Sequence, residues 1–139
     1  MADMPPLPDP DDPRFAGHWA AAAEGRLAVS RCAACAAWRW PPRSLCPACG
    51  AETVAWMPLP GTGTLYSWTV VHRAALPGFV GHVPYAVAIV ALDDAPVRHL
   101  GRVVGASPDA LRIGMPMIVD FEIEGGISLP VWRPASQRD

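Results

Sequence analysis

The stretch Arg31-Cys32-Ala33-Ala34-Cys35, followed by Leu45-Cys46-Pro47-Ala48-Cys49-Gly50, holds all four cysteines of the chain as two Cys-x-x-Cys pairs, separated by residues 36–45. Two such pairs at close spacing bring four thiolates round one ion, the ligand set that tetrahedral Zn²⁺ takes in structural sites. Iron in a rubredoxin-type site takes the same four ligands. Both pairs sit among turn residues, which suits a zinc ribbon. Gly50 follows the second pair and permits a tight turn that aims backbone N–H groups at sulfur. Ala36 holds the matching position after the first pair, where a turn of that kind fits less well. A four-thiolate site is closed. It stabilises a fold and leaves no position for activated water.

Outward from the cysteines, 139 residues give room for one compact domain or two small ones. Hydrophobic residues make up 51%, and no apolar run is long enough to span a membrane. The 17 prolines and 12 glycines favour short strands and turns. Net charge is −2, and all 11 basic residues are arginine. That balance disfavours a general nucleic-acid binder, whose affinity comes from neutralising phosphates. The first residues carry neither a basic stretch nor the apolar core of a signal peptide, so a cytoplasmic setting with reduced thiols is expected.

Residues 1–12, with four prolines and four aspartates, read as a disordered tail. Asp12-Pro13 reads as a helix start, and a helical segment over 13–26 ends at Gly25. Phe15, Trp19 and Ala22/Ala23 fall on one face of it. That face suits packing onto its own domain or docking onto a partner. Residues 27–57 form the ribbon, with Trp38 and Trp40 expected over the metal site. Residues 58–134 then show five strands: Thr62–Arg73, Tyr85–Leu92, Val97–Val104, Met117–Glu124 and Ile127–Trp132. On the first, Leu65, Ser67, Thr69 and Val71 are expected on one face, with Tyr66, Trp68, Val70 and His72 on the other. Ser107-Pro108 opens a helical turn between the third and fourth strands. The whole reads as mainly β: an N-terminal helix, a rubredoxin-like zinc ribbon and a five-stranded OB-fold barrel, with a short tail at 135–139.

The loop Ala74–Pro84 carries Leu76, Phe79 and Val80 together with two glycines. It reads as a lid or docking loop, so these three join Phe15 and Trp19 as candidate partner-docking residues. Arg73, Arg98 and Arg102 lie on adjacent strands and are candidate ligands for the phosphates of CoA. His72, His82 and His99 have no Ser, Cys or carboxylate at a spacing that implies a triad, and Asp93-Asp94 reads as a turn. No catalytic residue is assigned.

The order of parts is specific. Gly25-Arg26-Leu27, Arg31-Cys32-x-x-Cys35, Pro41-Pro42-Arg43-x-x-Cys46-Pro47-x-Cys49-Gly50, Gly61-x-Gly63-x-Leu65-Tyr66-Ser67, Pro84-Tyr85, Arg112-Ile113-Gly114-Met115-Pro116 and Leu129-Pro130 follow one another. Over residues 13 to 134 this strongly resembles the zinc-ribbon plus OB-fold family associated with acyl-CoA metabolism, long catalogued as a domain of unknown function. Ala36 departs from it, since the family usually has glycine there. The resemblance implies the metal role for Cys32, Cys35, Cys46 and Cys49. It also implies a non-catalytic accessory subunit of a thiolase-fold enzyme. Such family members pair with archaeal acetoacetyl-CoA thiolase or with lipid-transfer-protein-like aldolases of bacterial steroid side-chain breakdown. The expected assembly is a heterotetramer that shares an acyl-CoA site. The competing readings are a single-stranded nucleic-acid binder, with Tyr66, Trp68 and His72 stacking bases, and a stand-alone acyl-CoA-binding module.

Overall fold

The computed structural model describes residues 5–135. In chain order it has helix α1 (Ala16–Ala23) and strands β1 (Leu27–Cys32), β2 (Val54–Leu59), β3 (Thr62–Val71), β4 (Tyr85–Leu92), β5 (Arg98–Arg102), β6 (Pro116–Glu124) and β7 (Ile127–Pro134). Single 3-10 turns stand at Pro77–Phe79 and Pro108–Ala110. No helix among the described residues is long and apolar enough to cross a membrane.

Helix α1 begins later than Asp12-Pro13 implied. Phe15 stands at its N-cap without a side-chain hydrogen bond. The Asp12 carboxylate instead accepts from the Arg14 amide at 2.9 Å, closing a local turn ahead of the helix. At the other end Gly25 has φ 74°, and Arg26 N–H reaches back to Ala21 O at 2.9 Å, the expected glycine stop. The buried face is His18, Ala21 and Ala22. Of the 1–12 segment, the first four residues lie outside the described residues, as does 136–139. Pro5, Pro6 and Leu7 line one small cavity with Phe79, His82, Tyr85 and Leu129.

The ribbon hairpin pairs β1 with β2, from Leu27 opposite Leu59 to Cys32 opposite Val54. Strand β2 had no sequence signature of its own. Its Val-Ala-Trp-Met-Pro-Leu run neither alternates cleanly nor avoids proline, which an edge strand tolerates. The second sheet has order β5-β4-β3-β6-β7, all antiparallel. A parallel bridge between Val103 and Trp132, with Val104 N–H donating to Trp132 O at 2.8 Å, joins its two edges and closes an OB-like barrel.

The core is formed by Leu27 and Val29 of β1 with Leu65, Val90, Met117 and Trp132 of the barrel. The two-face reading of β3 fails at one point. Its register against β4 slips between Leu65 and Ser67, the mark of a β-bulge. The extra residue resets the alternation, so Leu65 is buried while Trp68 and Val70 then turn inward onto the core. Tyr66 is left outside, 48% exposed. The other strands begin and end within two residues of the expected bounds. Ser107 Oγ accepts from Asp109 N–H as the cap of its turn.

Candidate metal centre and docking surface

The two cysteine pairs fold into matching knuckles. In the first, Cys32 N–H donates to Ala37 O at 2.8 Å and Ala36 N–H to Cys32 O at 3.0 Å. In the second, Cys46 N–H donates to Ala51 O at 2.9 Å and Gly50 N–H to Cys46 O at 2.9 Å. Ala36 adopts φ 68° and Gly50 φ 79°. The alanine therefore does not distort its knuckle. It takes the same left-handed turn and bears the Cβ strain that glycine avoids.

The four sulfur atoms lie within 4.8 Å of one another. Cys32 and Cys49 Sγ are 3.7 Å apart, and Cys35 and Cys46 Sγ 3.6 Å. Tetrahedral zinc with Zn–S bonds of about 2.3 Å has S···S edges of about 3.8 Å, so the donor set fits such an ion. The backbone is already turned toward sulfur. Cys35 N–H points at Cys32 Sγ (3.5 Å) and Ala48 N–H at Cys46 Sγ (3.3 Å). The amides of Cys35 and then Ala34 pull the Cys32 thiol down to about 6, and those of Cys49 and Ala48 lower Cys46. Cys49 receives the Ala51 N–H, which alone would lower it, yet crowding by the Cys35, Cys32 and Cys46 sulfurs pushes it up to about 11. Half the cluster favours thiolate and one member resists it. A divalent cation relieves that conflict.

Trp38 and Trp40 do not act as a pair over the sulfurs. Trp38 lies under the Arg31 guanidinium, 4.6 Å from its ring centre. Trp40 turns away to the junction of helix, ribbon and barrel, where it stacks on His99 at 5.4 Å and meets Phe15 edge-on at 6.2 Å. His18 of α1 contacts Trp19, Trp40 and His99 with centroids at 4.6, 5.2 and 5.7 Å. The fully buried Trp132 donates Nε1–H to His99 Nδ1 at 3.2 Å. Burial pushes both histidines down, His99 to about 3, with proximity to His18 adding to the effect there. Both are therefore neutral and structural. Sequence reading left His18 unremarked and gave His99 no role. The signal was His18 on the inward helical face with Phe15 and Ala22.

Of the five candidate docking side chains, Leu76 (49% exposed) and Val80 (68%) project outward. Phe79 is half-buried, stacked on Tyr85 at 5.9 Å, and anchors the loop. Phe15 and Trp19 are half-buried against the protein's own junction, beside a cavity of about 320 Å³ that Leu100, Arg102 and Leu129 also line. The three candidate CoA arginines do not converge. Arg98 and Arg102 are four residues apart on β5, roughly 13 Å along a strand. Arg98 lies over the Tyr66 ring at 3.9 Å, and Arg102 is ion-paired with Glu122. Arg73 is exposed just past β3. Tyr66 and Trp68 face opposite ways, so no base-stacking platform forms on β3.

A four-cysteine ribbon joined to an OB-like barrel defines the class, and the comparisons with known proteins name the family. Residues 19–55 match the model of the ChsH2 rubredoxin-like zinc ribbon domain, and residues 56–122 that of the ChsH2 C-terminal OB-fold domain. The chain belongs to this ChsH2-type DUF35 family. A solved structure described as the Ltp2-ChsH2(DUF35) aldolase superposes with a TM-score of 0.80 at 39% identity, covering 94% of this chain and 99% of that one. A probable enoyl-CoA hydratase alpha subunit of Thermomonospora curvata is 41% identical over 116 residues, 83% of this chain but 35% of that protein. The 3-oxo-4,17-pregnadiene-20-carboxyl-CoA hydratase alpha subunit of Mycobacterium tuberculosis is 38% identical over 74 residues, 53% of this chain and 23% of that protein. The chain thus spans about a third or less of the length of these two relatives.

Proposed function

We propose that this chain is a non-catalytic accessory subunit of a thiolase-like acyl-CoA enzyme, an aldolase that cleaves a carbon–carbon bond of an acyl-CoA by retro-aldol chemistry. The observation that carries the reading is the match, over almost all of both chains, to the ChsH2(DUF35) chain of an aldolase assembly. The site chemistry agrees with it. Four thiolates close the coordination sphere of a structural zinc, so Cys32, Cys35, Cys46 and Cys49 hold the fold and the partner supplies the reacting groups. The two buried histidines are neutral and packed among aromatic rings.

The partner is a thiolase-fold, lipid-transfer-protein-like subunit, and two copies of each chain make a heterotetramer. Its docking surface includes Leu76 and Val80, which have no apolar cover of their own. The acyl-CoA lies at the subunit boundary. There Arg73, which has neither an ion pair nor a ring partner among the described residues, is the arginine available to its phosphates. The test is co-expression with the thiolase-like protein encoded nearest to it, followed by intact-complex mass spectrometry. A stoichiometric complex that Val80→Asp weakens at least tenfold, with the isolated fold unchanged, is expected. A chain that stays monomeric beside such partners sinks the reading.

A further inference from the structure

Arg39 stands between Trp38 and Trp40 and had no role in the sequence reading. It is one of the most enclosed polar side chains of the protein, only 2% exposed. None of the ion pairs among the described residues includes it. Its guanidinium donates only to backbone carbonyls: Arg43 O at 3.3 Å, Ala51 O at 3.3 Å and Thr53 O at 3.0 Å. Its Nε is buried and unpartnered. A cation taken out of water without a counter-charge is among the costliest arrangements a small domain can hold, and such groups are normally paired.

The carbonyls it grips explain its place. Ala51 O is also the acceptor of Cys46 N–H, and Thr53 O lies 3.4 Å from the amide of Ala33, beside Cys32. One guanidinium thereby ties the returning strand to both cysteine knuckles, roughly 6 Å from the Cys46 amide through the shared Ala51 oxygen. Its own backbone is fixed to β1, since Arg39 N–H donates to Ser30 O at 2.9 Å and Ser30 Oγ donates to Arg39 O. Four thiolates round a divalent ion carry a net charge of about −2. The ribbon therefore encloses one unpaired cation and, once loaded, one dianion, with both knuckles linked to the same guanidinium through the Ala51 and Thr53 carbonyls.

We infer that Arg39 is the buried counter-charge of the tetrathiolate centre: a positioning residue that holds the two knuckles together and slows metal loss by compensating the charge of the loaded site. This rests on the metal reading above and is separable from it. The first measurement is zinc per wild-type chain. A wild-type chain without zinc removes the metal reading itself, whereas a loaded wild type whose Arg39 variants behave alike removes only this inference. Zinc transfer to a chromogenic chelator is then timed for wild type, Arg39→Gln and Arg39→Lys. Residues supporting the ligands of a metal typically change its retention about 10–100-fold, so Arg39→Gln is expected to release zinc at least about tenfold faster, with Arg39→Lys between it and wild type.

The charge component is isolated by repeating the comparison with Cys49→His, which lowers the charge of the loaded site. The Gln effect should shrink there. Unchanged release rates overturn the inference, as does an equal Gln penalty in both backgrounds, which would leave Arg39 as a neutral brace. Should Arg39→Gln fail to fold with four cysteines, refolding in the Cys49→His background is the expected rescue, and failure there also counts against the inference.

Discussion

Acid should loosen this protein well before its carboxylates titrate, and His99 is the reason. It is 2% exposed, accepts from Trp132 Nε1–H, and lies 5.7 Å from the ring of His18, which is also buried. Its pKa in the fold, about 3, lies below the ordinary value of 6.5. The unfolded state therefore binds the proton that the folded state refuses. Above about pH 6.5 both states are neutral and nothing is lost. Below it, stability falls as pH falls, until the folded form also protonates near pH 3. At pH 5.0 the cost from His99 alone is about 2 kcal/mol, and any folded value at or below about 4 gives nearly the same figure. His18 is lowered as well and acts in the same direction. Arg102, which lines the same cavity, is already paired with Glu122. Asp120, lowered by the Phe121 N–H and by Arg133, loses its contribution only below its ordinary 3.8, outside this window. Urea unfolding at pH 7.5 and 5.0, in a zinc buffer, reads the difference. His99→Phe is expected to lower stability at both pH values, because Trp132 loses its acceptor, but to reduce the pH-dependent loss by about 2 kcal/mol. Equal losses in wild type and variant would refute the argument.

Ala36→Gly should stabilise the ribbon by about 0.5–1 kcal/mol, the αL strain of alanine less the extra freedom of glycine in the unfolded chain; a drop in thermal midpoint contradicts the knuckle geometry. Gly101→Ala should cost about 1–3 kcal/mol, because its Cβ would meet Trp132 Cδ1 at 2.8 Å and Pro130 O at 3.4 Å. Gly81→Ala, whose Cβ meets nothing within 4 Å, is the control, and chemical denaturation compares the two. Chelation of the metal should erase hydrogen-exchange protection over Cys32–Leu59 first while the β3–β4 amides keep most of theirs. Protection that persists unchanged in the ribbon would show that the thiols need no ion.

The features legible in sequence were those set by local chemistry. Cysteine spacing, the glycine stop at Gly25, the Ser107-Pro108 turn and the bounds of the Tyr85–Leu92 strand each depend on a few neighbouring residues. What escaped depends on partners far along the chain. The inward turn of Trp68 follows from a bulge that only pairing with β4 reveals. Strand β2 exists because β1 is opposite it. Trp40 looked like a lid on the metal because it is near the cysteines in sequence, yet its ring finds His99, 59 positions later. The candidate CoA arginines were grouped as if on adjacent strands, yet β4 lies between β3 and β5, and Arg98 and Arg102 are spread along one strand.

The connection between ribbon and barrel has a mechanical consequence. β2 ends at Leu59 and β3 begins at Thr62, with only Pro60 and Gly61 between. Gly61 O accepts from Val119 N–H at 2.8 Å, and a Cβ on Gly61 would stand 2.3 Å from Val119 Cγ1. The link between β2 and β3 is therefore a weld and not a hinge. Any swing of the ribbon about Gly61 would drive that residue's backbone against the Val119 side chain.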